Sequence, residues 1–456
     1  MASVTVMDAD SMGATLQRLV DRALAATSAG RCVWVALSGG LDSSLLLTLT
    51  AEACRRHPRS LRALHVHHGL QPAADGFERH CQWLCSGLGV PLRVERVAVD
   101  SADGQGREGA ARAARYAAFA ECVAPGETLW LAQHRDDQAE TFLLAALRGS
   151  GTRGLAGMTA GRAWRGRRLE RPLLGVERAT LEAEARRQGL VWVEDPSNDD
   201  ETLDRNFLRH TVLPLLATRW VHAGESLSRS AALAGEADAL LDELAGLDLE
   251  RLGGDAACLP VAGLETLSGS RRRLLVRYCC GRLGLAMPPA RRLDTLLDQL
   301  EAREDAKVRV TWSDAEARVW RGRLYLLAPP EALPPDWQAE WNGHAPLMTP
   351  LGEVRVSLGR ADGAPARLRV VPRQGGEWLR LPGRGRRDLK RLLQEAGVPP
   401  WGRGGLVVAR EGETPVAVLD PRDGACWLLA EGWVSRDESS GGDPRPADRP
   451  SPAPGR

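Results

Sequence analysis

The chain has 456 residues, 43% of them hydrophobic and 26% charged, and a formal net charge of +1. Its length exceeds what one hydrophobic core usually holds, so we expect two or three domains of a soluble globular protein. No apolar run approaches the roughly 20 residues that cross a bilayer, and the acidic N-terminus lacks the pattern of a signal peptide, which together predict a cytoplasmic protein without membrane contact.

Short β-branched or aliphatic runs alternate with segments of helical period from Cys32 to about Leu215, a pattern typical of a doubly wound parallel sheet. The predicted strands cover 32–37, 61–67, 92–97 and 128–132. The predicted helices cover 43–56, 77–88, 107–122, 136–147 and 177–188. This region is therefore expected to be an α/β domain of the nucleotide-binding type.

The remainder of the chain changes character twice. Residues 218–330 have apolar residues three and four apart, which predicts a mostly helical middle domain, and end in an alternating stretch near Lys307 that is typical of a hairpin. A proline-rich linker is predicted over 331–347. Residues 348–434 predict a small α+β domain in which RRDLKRLLQEAG forms a single helix, and 435–456 predict a disordered tail.

The numbers and positions of the cysteines and lysines limit which kinds of site the chain can form. Nine cysteines include no Cys-X-X-Cys pair, which argues against disulfides, a structural metal or an iron–sulfur cluster. Cys81 and Cys85, four residues apart, could meet on a helix face, but buried free thiols are the expectation. Only Lys307 and Lys390 among the 60 basic residues are lysines, so no lysine precedes position 307.

A glycine-rich segment, SGGLDSS at 38–44, follows the first predicted strand. Such a turn exposes backbone N–H groups to an anion at the N-terminus of the next helix, and the two glycines permit close approach. It is not a Walker A loop, which needs a lysine, nor a dinucleotide fingerprint, because Ser44 stands where the third glycine would fall. Asp42 beside a phosphate predicts an intervening Mg²⁺.

The segment resembles the SGGxDS loop of the PP-loop pyrophosphatases, which cleave ATP between its α and β phosphates and adenylate a substrate. The resemblance implies ATP and Mg²⁺ as cofactors, with Asp42 near the metal. It also implies that six consecutive residues bind ATP: Ser38, Gly39, Gly40, Leu41, Asp42 and Ser43.

Two further clusters lie at the predicted carboxyl ends of strands. HVHHGL places His65, His67 and His68 at the end of the second strand, and three such histidines before a glycine favour a site. After the fourth strand, His134 precedes a helix on which Asp137 and Glu140 share one face. Acids commonly cap helices, but a cap accounts for only one of them. The remaining acids predict a pocket for a cationic substrate.

The motifs in order are similar to those of the tRNA(Ile)-lysidine synthetase family: SGGLDS, HVHHGL, QHRDDQAETFLL, RGSGTRGL, RPLL, EDPSN and DRNFLR, then more loosely RSAAL and LKRLLQEAGVPPW. The resemblance implies that 1–217 is an adenylation domain and 348–434 a tRNA-binding domain. It implies adenylation of the wobble cytidine of an isoleucine tRNA with a CAU anticodon, followed by attack of free lysine to give lysidine. No partner protein is evident.

Roles follow for individual residues. Asp42, His134, Asp137 and Glu140 are the expected catalytic residues, with Asp137 favoured as the lysine contact or base and Glu140 second. Asp195 and Asn198 are alternatives for holding the lysine ammonium, although DPSN is also an ordinary turn. Other expected contacts to substrate or RNA are His68, Arg148, Arg205 and Asn206.

The RNA surface has to be local, because the overall charge is nearly balanced. Residues 161–171 carry five arginines against one glutamate, and 367–391 carry nine basic residues against two acids. A single basic patch would be explained by an ordinary solvent-exposed surface. Because two such patches accompany a domain that resembles an RNA-modifying enzyme, contact with RNA phosphates is favoured. The candidate contacts are Arg165, Arg167 and Arg168 in the first patch and Arg384, Arg386, Arg387 and Lys390 in the second.

Three alternatives are weighed against this prediction. A tRNA thiolase of the same superfamily needs suitably paired cysteines, which the chain lacks. A glutamine-dependent synthetase needs a glutaminase pattern, and none is present. A nonenzymatic nucleotide-binding adaptor would be indicated by loss of Asp42 or of the acidic cluster, and both are retained.

Overall fold

The computed structural model describes residues 9–69, 74–98, 106–300 and 308–437. Two compact units, Met1–Leu240 and Leu241–Arg456, divide the chain. The predicted boundary at residue 217 remains a prediction. None of the helices in the described ranges is long and apolar enough to span a membrane.

The first unit contains a six-stranded sheet flanked by helices. Its strands are β1 (Cys32–Ala36), β2 (Ser60–His67), β3 (Leu92–Arg96), β4 (Thr128–Trp130), β5 (Gly161–Trp164) and β6 (Arg167–Glu170). Its helices are α1 (Ala9–Ala25), α2 (Leu41–Arg56), α3 (Ala74–Leu88), α4 (Gly106–Cys122), α5 (Arg135–Leu147), α6 (Thr152–Leu155), α7 (Arg178–Arg187), α8 (Asp204–Phe207) and α9 (Leu213–Arg219), followed by α10 (Ala223–Arg251), which crosses the boundary between the units.

The strand order is β3-β2-β1-β4-β6-β5, parallel except for β5. The alternation of side chains along β1 explains why helices cover both faces. Val33 and Val35 pack with α1, α2 and α7, whereas Trp34 packs with Phe119 and Val123 against the opposite face. The predicted α/β fold is confirmed, and the predicted strands and helices of this region are present with small differences at their ends.

The expected elements of this unit did not include helices α1, α6, α8 and α9, nor one pair of strands. The basic stretch 161–171 forms the antiparallel hairpin β5–β6, whose two-residue turn has Arg165 and Gly166 in the left-handed region, at φ 47° and 74°. A turn of this kind usually carries Asn-Gly or Asp-Gly. Because this stretch is rich in arginine, its sequence pattern did not predict strands β5 and β6.

The second unit joins a small helical region to several antiparallel sheets. Its helices are α11 (Val261–Glu265), α12 (Gly269–Arg282), α13 (Ala290–Leu300) and α14 (Leu389–Glu395). Its strands are β7 (Cys258–Pro260), β8 (Arg309–Trp312), β9 (Ala315–Trp320), β10 (Arg323–Leu327), β11 (Ala339–Trp341), β12 (Leu347–Thr349), β13 (Gly352–Val354), β14 (Val356–Arg360), β15 (Leu368–Pro372), β16 (Trp378–Leu381), β17 (Gly385–Asp388), β18 (Val407–Glu411), β19 (Thr414–Asp420), β20 (Ala425–Leu429) and β21 (Trp433–Asp437).

The strands of this unit form two main sheets, β7-β10-β9-β8 and β11-β15-β18-β19-β20, and three pairs, β12–β13, β14–β21 and β16–β17. The expected hairpin is thus part of a four-stranded sheet, since β7 and β8 flank it; Lys307 lies outside the described residues. The predicted linker contributes β11, because Trp341 is buried against the larger sheet. Residues 435–437 continue β21 paired with β14, whereas the rest of the predicted tail falls outside the described ranges.

The helix predicted for RRDLKRLLQEAG begins later than expected. Arg386 and Arg387 lie on β17, and Asp388 is the N-cap of α14, where its carboxylate accepts a hydrogen bond from the Arg391 N–H at 3.0 Å. An N-cap residue needs an extended backbone, so Asp388 ends the strand and starts the helix. The two arginines therefore belong to a hairpin.

Candidate active site

The glycine-rich turn lies where the sequence predicts, between the end of β1 and the start of α2. Ser43 braces it: its hydroxyl accepts a hydrogen bond from the Ser38 N–H at 3.1 Å and donates to the Gly40 carbonyl at 3.1 Å. No side chain caps the N-terminus of α2 at Gly40. The first N–H groups of α2 are thus available to an anion, as a phosphate loop requires.

There is little space for a side chain at Gly39 in this turn. Gly39 has φ 91°, and a Cβ added there would lie 3.3 Å from Cys81 Sγ. The Val193 N–H donates to the Gly39 carbonyl at 3.0 Å, which brings the segment after α7 alongside the loop. Glycine at position 39 is therefore required by both conformation and packing.

The EDPSN motif forms a 3₁₀ turn, Pro196–Asp199, beside this segment. Asp195 Oδ1 accepts hydrogen bonds from the Ser197 N–H at 2.9 Å and the Ser197 hydroxyl at 2.8 Å. Asn206, which is buried, donates to the carbonyls of Ser197 and Asp200. These contacts give Asp195 and Asn206 a structural part in the turn. Their contact with substrate stays a prediction, as does that of Asn198.

Asp42, in the first turn of α2, faces an imidazole and a guanidinium group. Its Oδ2 lies 3.7 Å from His134 Nε2 and 3.5 Å from Arg178 Nη1. Burial raises the pKa of the Asp42 carboxyl above its ordinary value, against the opposing effects of His134 and Arg178. Its Oδ1 is buried and accepts no hydrogen bond within the described part of the chain.

That orphaned oxygen fits a cation. Mg²⁺ commonly takes one or two protein carboxylates and completes its shell with substrate phosphates and water. The described residues contain no group of three or more His, Cys, Asp or Glu side chains placed to hold a metal by themselves. Among the described residues, Asp42 has the chemistry that suits Mg²⁺, and phosphate oxygens would have to supply further ligands.

His134 lies at the N-cap of α5 and is almost fully buried among acids. Its Nδ1 is 3.6 Å from Asp136 Oδ2 and its Nε2 is 3.4 Å from Asp137 Oδ2. Burial alone would lower the pKa of His134, but the carboxylates of Asp136, Asp137 and Asp42 outweigh it and raise the pKa. The surrounding carboxylates therefore favour the protonated form of the imidazole beside Asp42.

Asp137 and Glu140 project from the same face of α5, as predicted, but two arginines meet them there. Glu140 is fully buried and accepts from Arg205 Nε and Arg209 Nε, each at 2.7 Å. Asp137 Oδ1 accepts from Arg209 Nη2 at 3.0 Å, and its Oδ2 accepts from the His134 N–H at 3.0 Å. The expected acidic pocket is in fact a charge-compensated network.

The three histidines of HVHHGL have different environments. His65 Nδ1 donates to the Leu37 carbonyl at 2.9 Å and so ties β2 to the start of the loop, and His67 Nε2 is 3.1 Å from Asp75 Oδ1. Burial lowers the pKa of His68 to about 4, and its buried Nδ1 has no partner among the described residues. His68 is therefore neutral, with a ring nitrogen available to a ligand.

The cysteines near the loop do not form a reactive pair. Cys81 and Cys85 are free and buried, and burial raises the pKa of Cys81 to about 12 and that of Cys85 to about 11. Thiolate is the reactive form of cysteine, so neither side chain suits the sulfur chemistry of a thiolase.

The basic hairpin β5–β6 contains both anchored and free arginines. Arg167 donates to the carbonyls of Val123 and Ala120 and lies 6.0 Å above the Trp164 ring, so it serves the fold. Arg165 is exposed at the turn, and Arg168, also exposed, pairs with Glu170. Arg148 is exposed at the C-terminal end of α5. RNA contact by these residues stays a prediction.

The second basic cluster is the hairpin β16–β17 with the first turn of α14. The Arg386 guanidinium lies 3.5 Å from the centroid of the Trp378 ring, and Arg384 pairs with Glu395 at 3.2 Å. Arg387 and Lys390 are exposed, and in the described ranges neither has a carboxylate within ion-pair distance. The hairpin thus presents cationic groups to solvent.

Three family models match the chain in consecutive segments: a PP-loop domain over 12–216, a TilS substrate binding domain over 259–325 and a TilS substrate C-terminal domain over 368–424. A tRNA(Ile)-lysidine synthase from Xanthomonas campestris pv. campestris is 44% identical over 393 residues, which cover 85% of this chain and 90% of that protein. The chain belongs to the tRNA(Ile)-lysidine synthase family.

Other members of the family match to a similar extent. The tRNA(Ile)-lysidine synthase from Pseudomonas aeruginosa is 45% identical over 419 residues, 87% of this chain and 92% of the relative. That from Xylella fastidiosa is 45% identical over 396 residues, 85% and 90% of the two chains. Membership of the lysidine synthase family confirms the resemblance carried by the sequence motifs, and the thiolase alternative is not better supported.

The sequence analysis gave no role to three residues that the structure places at this site: Arg209, Asp136 and Arg178. Arg209 stands four residues after Arg205, a spacing that already placed both on one helical face. Asp136 accepts from the Arg178 N–H at 3.0 Å, and Arg178 reaches Asp42. No local pattern indicated Arg178, because α7 meets the loop only through the tertiary fold.

Proposed function

We propose that this protein uses ATP to ligate free lysine to C2 of the wobble cytidine of an isoleucine tRNA with a CAU anticodon, forming lysidine. The modified base would decode AUA in place of AUG. The observation that carries the proposal is the meeting of an uncapped phosphate loop, Asp42, His134 and the α5 carboxylates at one edge of the sheet. ATP use and ligase activity accord with membership of the family.

In the first step, the cytidine O2 attacks the α-phosphorus of ATP, and the bond from that phosphorus to the oxygen bridging the β-phosphorus breaks. The N–H groups at the start of α2 and the hydroxyl of Ser38 hold the departing diphosphate, while Ser43 fixes the turn. Asp42 would hold Mg²⁺, which when bound would offset the negative charge of the phosphates. The Arg178 guanidinium contributes positive charge beside Asp42, and the His134 imidazole lies on the same side of that carboxylate.

In the second step, the lysine ε-amine attacks C2, and the bond from C2 to the adenylated oxygen breaks to release AMP. The amine has to lose a proton, and Asp137 is the proposed acceptor. Both carboxylates lie within ion-pair distance of Arg205 and Arg209, but the side chain of Asp137 is 15% exposed, whereas that of Glu140 is 0% exposed. We therefore assign Glu140 to holding Arg205 and Arg209 in place.

RNA recognition is proposed to be divided between two surfaces. The hairpin β5–β6 and Arg148, in the unit that carries the site, would contact the anticodon arm. The hairpin β16–β17, with Arg386, Arg387 and Lys390, would contact phosphates farther along the tRNA, such as those of the acceptor stem. Activity in the cytoplasm follows from the proposed substrate.

The proposal is tested by incubating the protein with ATP, Mg²⁺ and labelled lysine, with isoleucine tRNA bearing CAU or elongator methionine tRNA. We expect ATP-dependent labelling of the isoleucine tRNA, with one AMP released per lysine incorporated. Equal labelling of the two tRNAs would contradict the proposed recognition. Absence of label from both would contradict the proposed reaction.

A further inference from the structure

The segment VPPW, at 398–401, takes part in neither proposed RNA hairpin nor the catalytic site. Trp401 packs instead against the hairpin β9–β10. Its ring centroid lies 5.2 Å from that of Tyr325 and 6.3 Å from that of Trp320. The three rings are half-buried, so they form a seam at the surface of the second unit.

Two guanidinium groups cover this seam. Arg318 lies 5.2 Å from the Trp401 centroid, and Arg321 lies 4.6 Å from the Trp320 centroid. Arg321 Nη2 also donates to the Gln394 carbonyl at 2.5 Å, close to the C-terminal end of α14. The tip of β9–β10 therefore contacts the end of α14 and the chain that follows it, through stacked side chains and one hydrogen bond.

Hydrogen bonds and prolines also restrict the conformation of residues 398–401. Arg403 is buried, and its Nε and Nη2 donate to the Val398 carbonyl at 3.0 and 2.9 Å. The Gly402 N–H donates to the Pro399 carbonyl at 3.0 Å, and two prolines precede Trp401. Because residues 398–401 are held in one conformation, a shift of Trp401 would also move α14.

The seam joins two parts of the unit that have separate cores. One core draws on α12, α13 and β7–β10, and the other on the sheet that contains β15, β18 and β19. None of the three rings of the seam belongs to either core as described. Because α14 has seven residues, the seam acts roughly 10 Å from the basic hairpin at the other end of this helix.

We propose that Trp401 is a positioning residue: with Trp320, Tyr325 and Arg321 it forms a joint that fixes the hairpin β16–β17 for tRNA binding. This inference rests on the proposed RNA role of that hairpin. The joint acts through the hairpin and does not touch RNA. A loosened joint lets α14 and the arginines of β17 shift together, so the phosphate contacts are made less often.

The test compares steady-state lysine incorporation into full-length isoleucine tRNA by wild type, Trp401→Ala and Trp401→Phe. We expect Trp401→Ala to raise KM for tRNA about tenfold, which corresponds to about 1.4 kcal/mol of binding, with kcat and KM for ATP unchanged. Trp401→Phe keeps a ring in the seam and should restore most of the affinity. Unchanged KM in a folded Trp401→Ala protein would overturn the proposal.

A second variant guards against misfolding of Trp401→Ala. Arg321→Asn removes the contact with Gln394 from an exposed turn, and asparagine tolerates the φ of 50° found there. It should raise KM for tRNA in the same direction, by a smaller factor. If the tRNA KM of Arg321→Asn and Trp401→Phe both matched wild type while Trp401→Ala was unfolded, the rings would serve stability alone and the proposal would fail.

The joint is separated from a direct RNA contact by combining variants. With Arg386→Ala and Arg387→Ala already present, Trp401→Ala should add little, because the two arginines that it positions are gone. A full additional tenfold rise in KM would mean that Trp401 stacks on RNA itself, which contradicts a joint. Wild-type affinity of the double arginine variant would instead refute the RNA role of the hairpin, a separate failure.

Discussion

At the scale of single residues, Asp42 and Glu140 illustrate two uses of a buried carboxylate. Asp42 keeps one oxygen without a partner and has a raised pKa because burial disfavours its charge. Glu140 is fully buried, but Arg205 and Arg209 satisfy both of its oxygens. The first arrangement is unfavourable for the folded protein and suits a ligand, whereas the second stabilises the site itself.

Replacing Asp42 should separate function from stability. Asp42→Asn keeps the size of the side chain and removes a poorly compensated charge, so we expect the thermal midpoint to stay the same or rise. Formation of AMP should be abolished, because the carboxylate that would hold Mg²⁺ is lost. Calorimetry and an AMP assay check the two effects. A variant that still forms AMP at the wild-type rate would remove Asp42 from the mechanism.

The two carboxylates of α5 should respond differently to loss of charge. Glu140→Gln leaves two arginines without their main partner, and we expect it to lower the free energy of unfolding by roughly 2 kcal/mol or more. Asp137→Asn should leave folding and adenylation largely intact and slow the transfer of lysine. Chemical denaturation and single-turnover assays of the two steps distinguish them. Equal loss of adenylation in both variants would count against the proposed proton acceptor.

At the scale of elements, the phosphate loop is defined by the backbone of the β1–α2 turn. The sequence predicted this loop because its glycines and serines occupy consecutive positions after a strand. The arginine network was not predictable in the same way: Arg205 and Arg209 are near in sequence, yet their carboxylate partners are more than 60 positions away. The hairpin β5–β6 was missed because its arginines lack the alternation of a half-buried strand.

A matched pair of glycine substitutions tests the loop. Gly39→Ala and Gly30→Ala both place a Cβ on a left-handed residue, at φ 91° and 76°, and each should cost about 1 kcal/mol of stability. Only Gly39 has a close neighbour, Cys81 Sγ, and lies in the loop. We therefore expect KM for ATP to rise in Gly39→Ala alone. A similar rise in Gly30→Ala would show that global destabilisation, and not the loop, controls ATP binding.

At the scale of the whole molecule, a nearly neutral chain concentrates its positive charge on separate hairpins of two units. The sequence predicted both basic clusters and the α/β fold of the first unit. It did not predict that β11 and the end of β21 complete the sheets of the second, because short strands in proline-rich or terminal segments depend on distant partners. The joint likewise depends on a distant contact, because Trp401 is 76 or more positions away from the two rings that it packs against.

The second basic hairpin should govern how tRNA binding depends on salt. Arg386→Ala with Arg387→Ala should weaken tRNA binding and reduce the slope of log K against log salt by about 1 to 2, since each lost phosphate contact removes about 0.7 to 0.9. Arg18→Ala with Arg22→Ala removes the same charge from exposed positions on α1, outside both basic hairpins and the segment that matches a substrate binding domain, and serves as the control. Equal slopes for the two double variants would show a nonspecific charge effect.

Nucleoside analysis of the tRNA after the reaction tests the central claim most directly. The isoleucine tRNA is incubated with protein, ATP, Mg²⁺ and lysine, digested to nucleosides and examined by mass spectrometry. We predict that cytidine at the wobble position is replaced by a nucleoside carrying one lysine less one water, and that omission of ATP prevents the change. An unmodified wobble cytidine, or a nucleoside that has gained sulfur, would contradict the account.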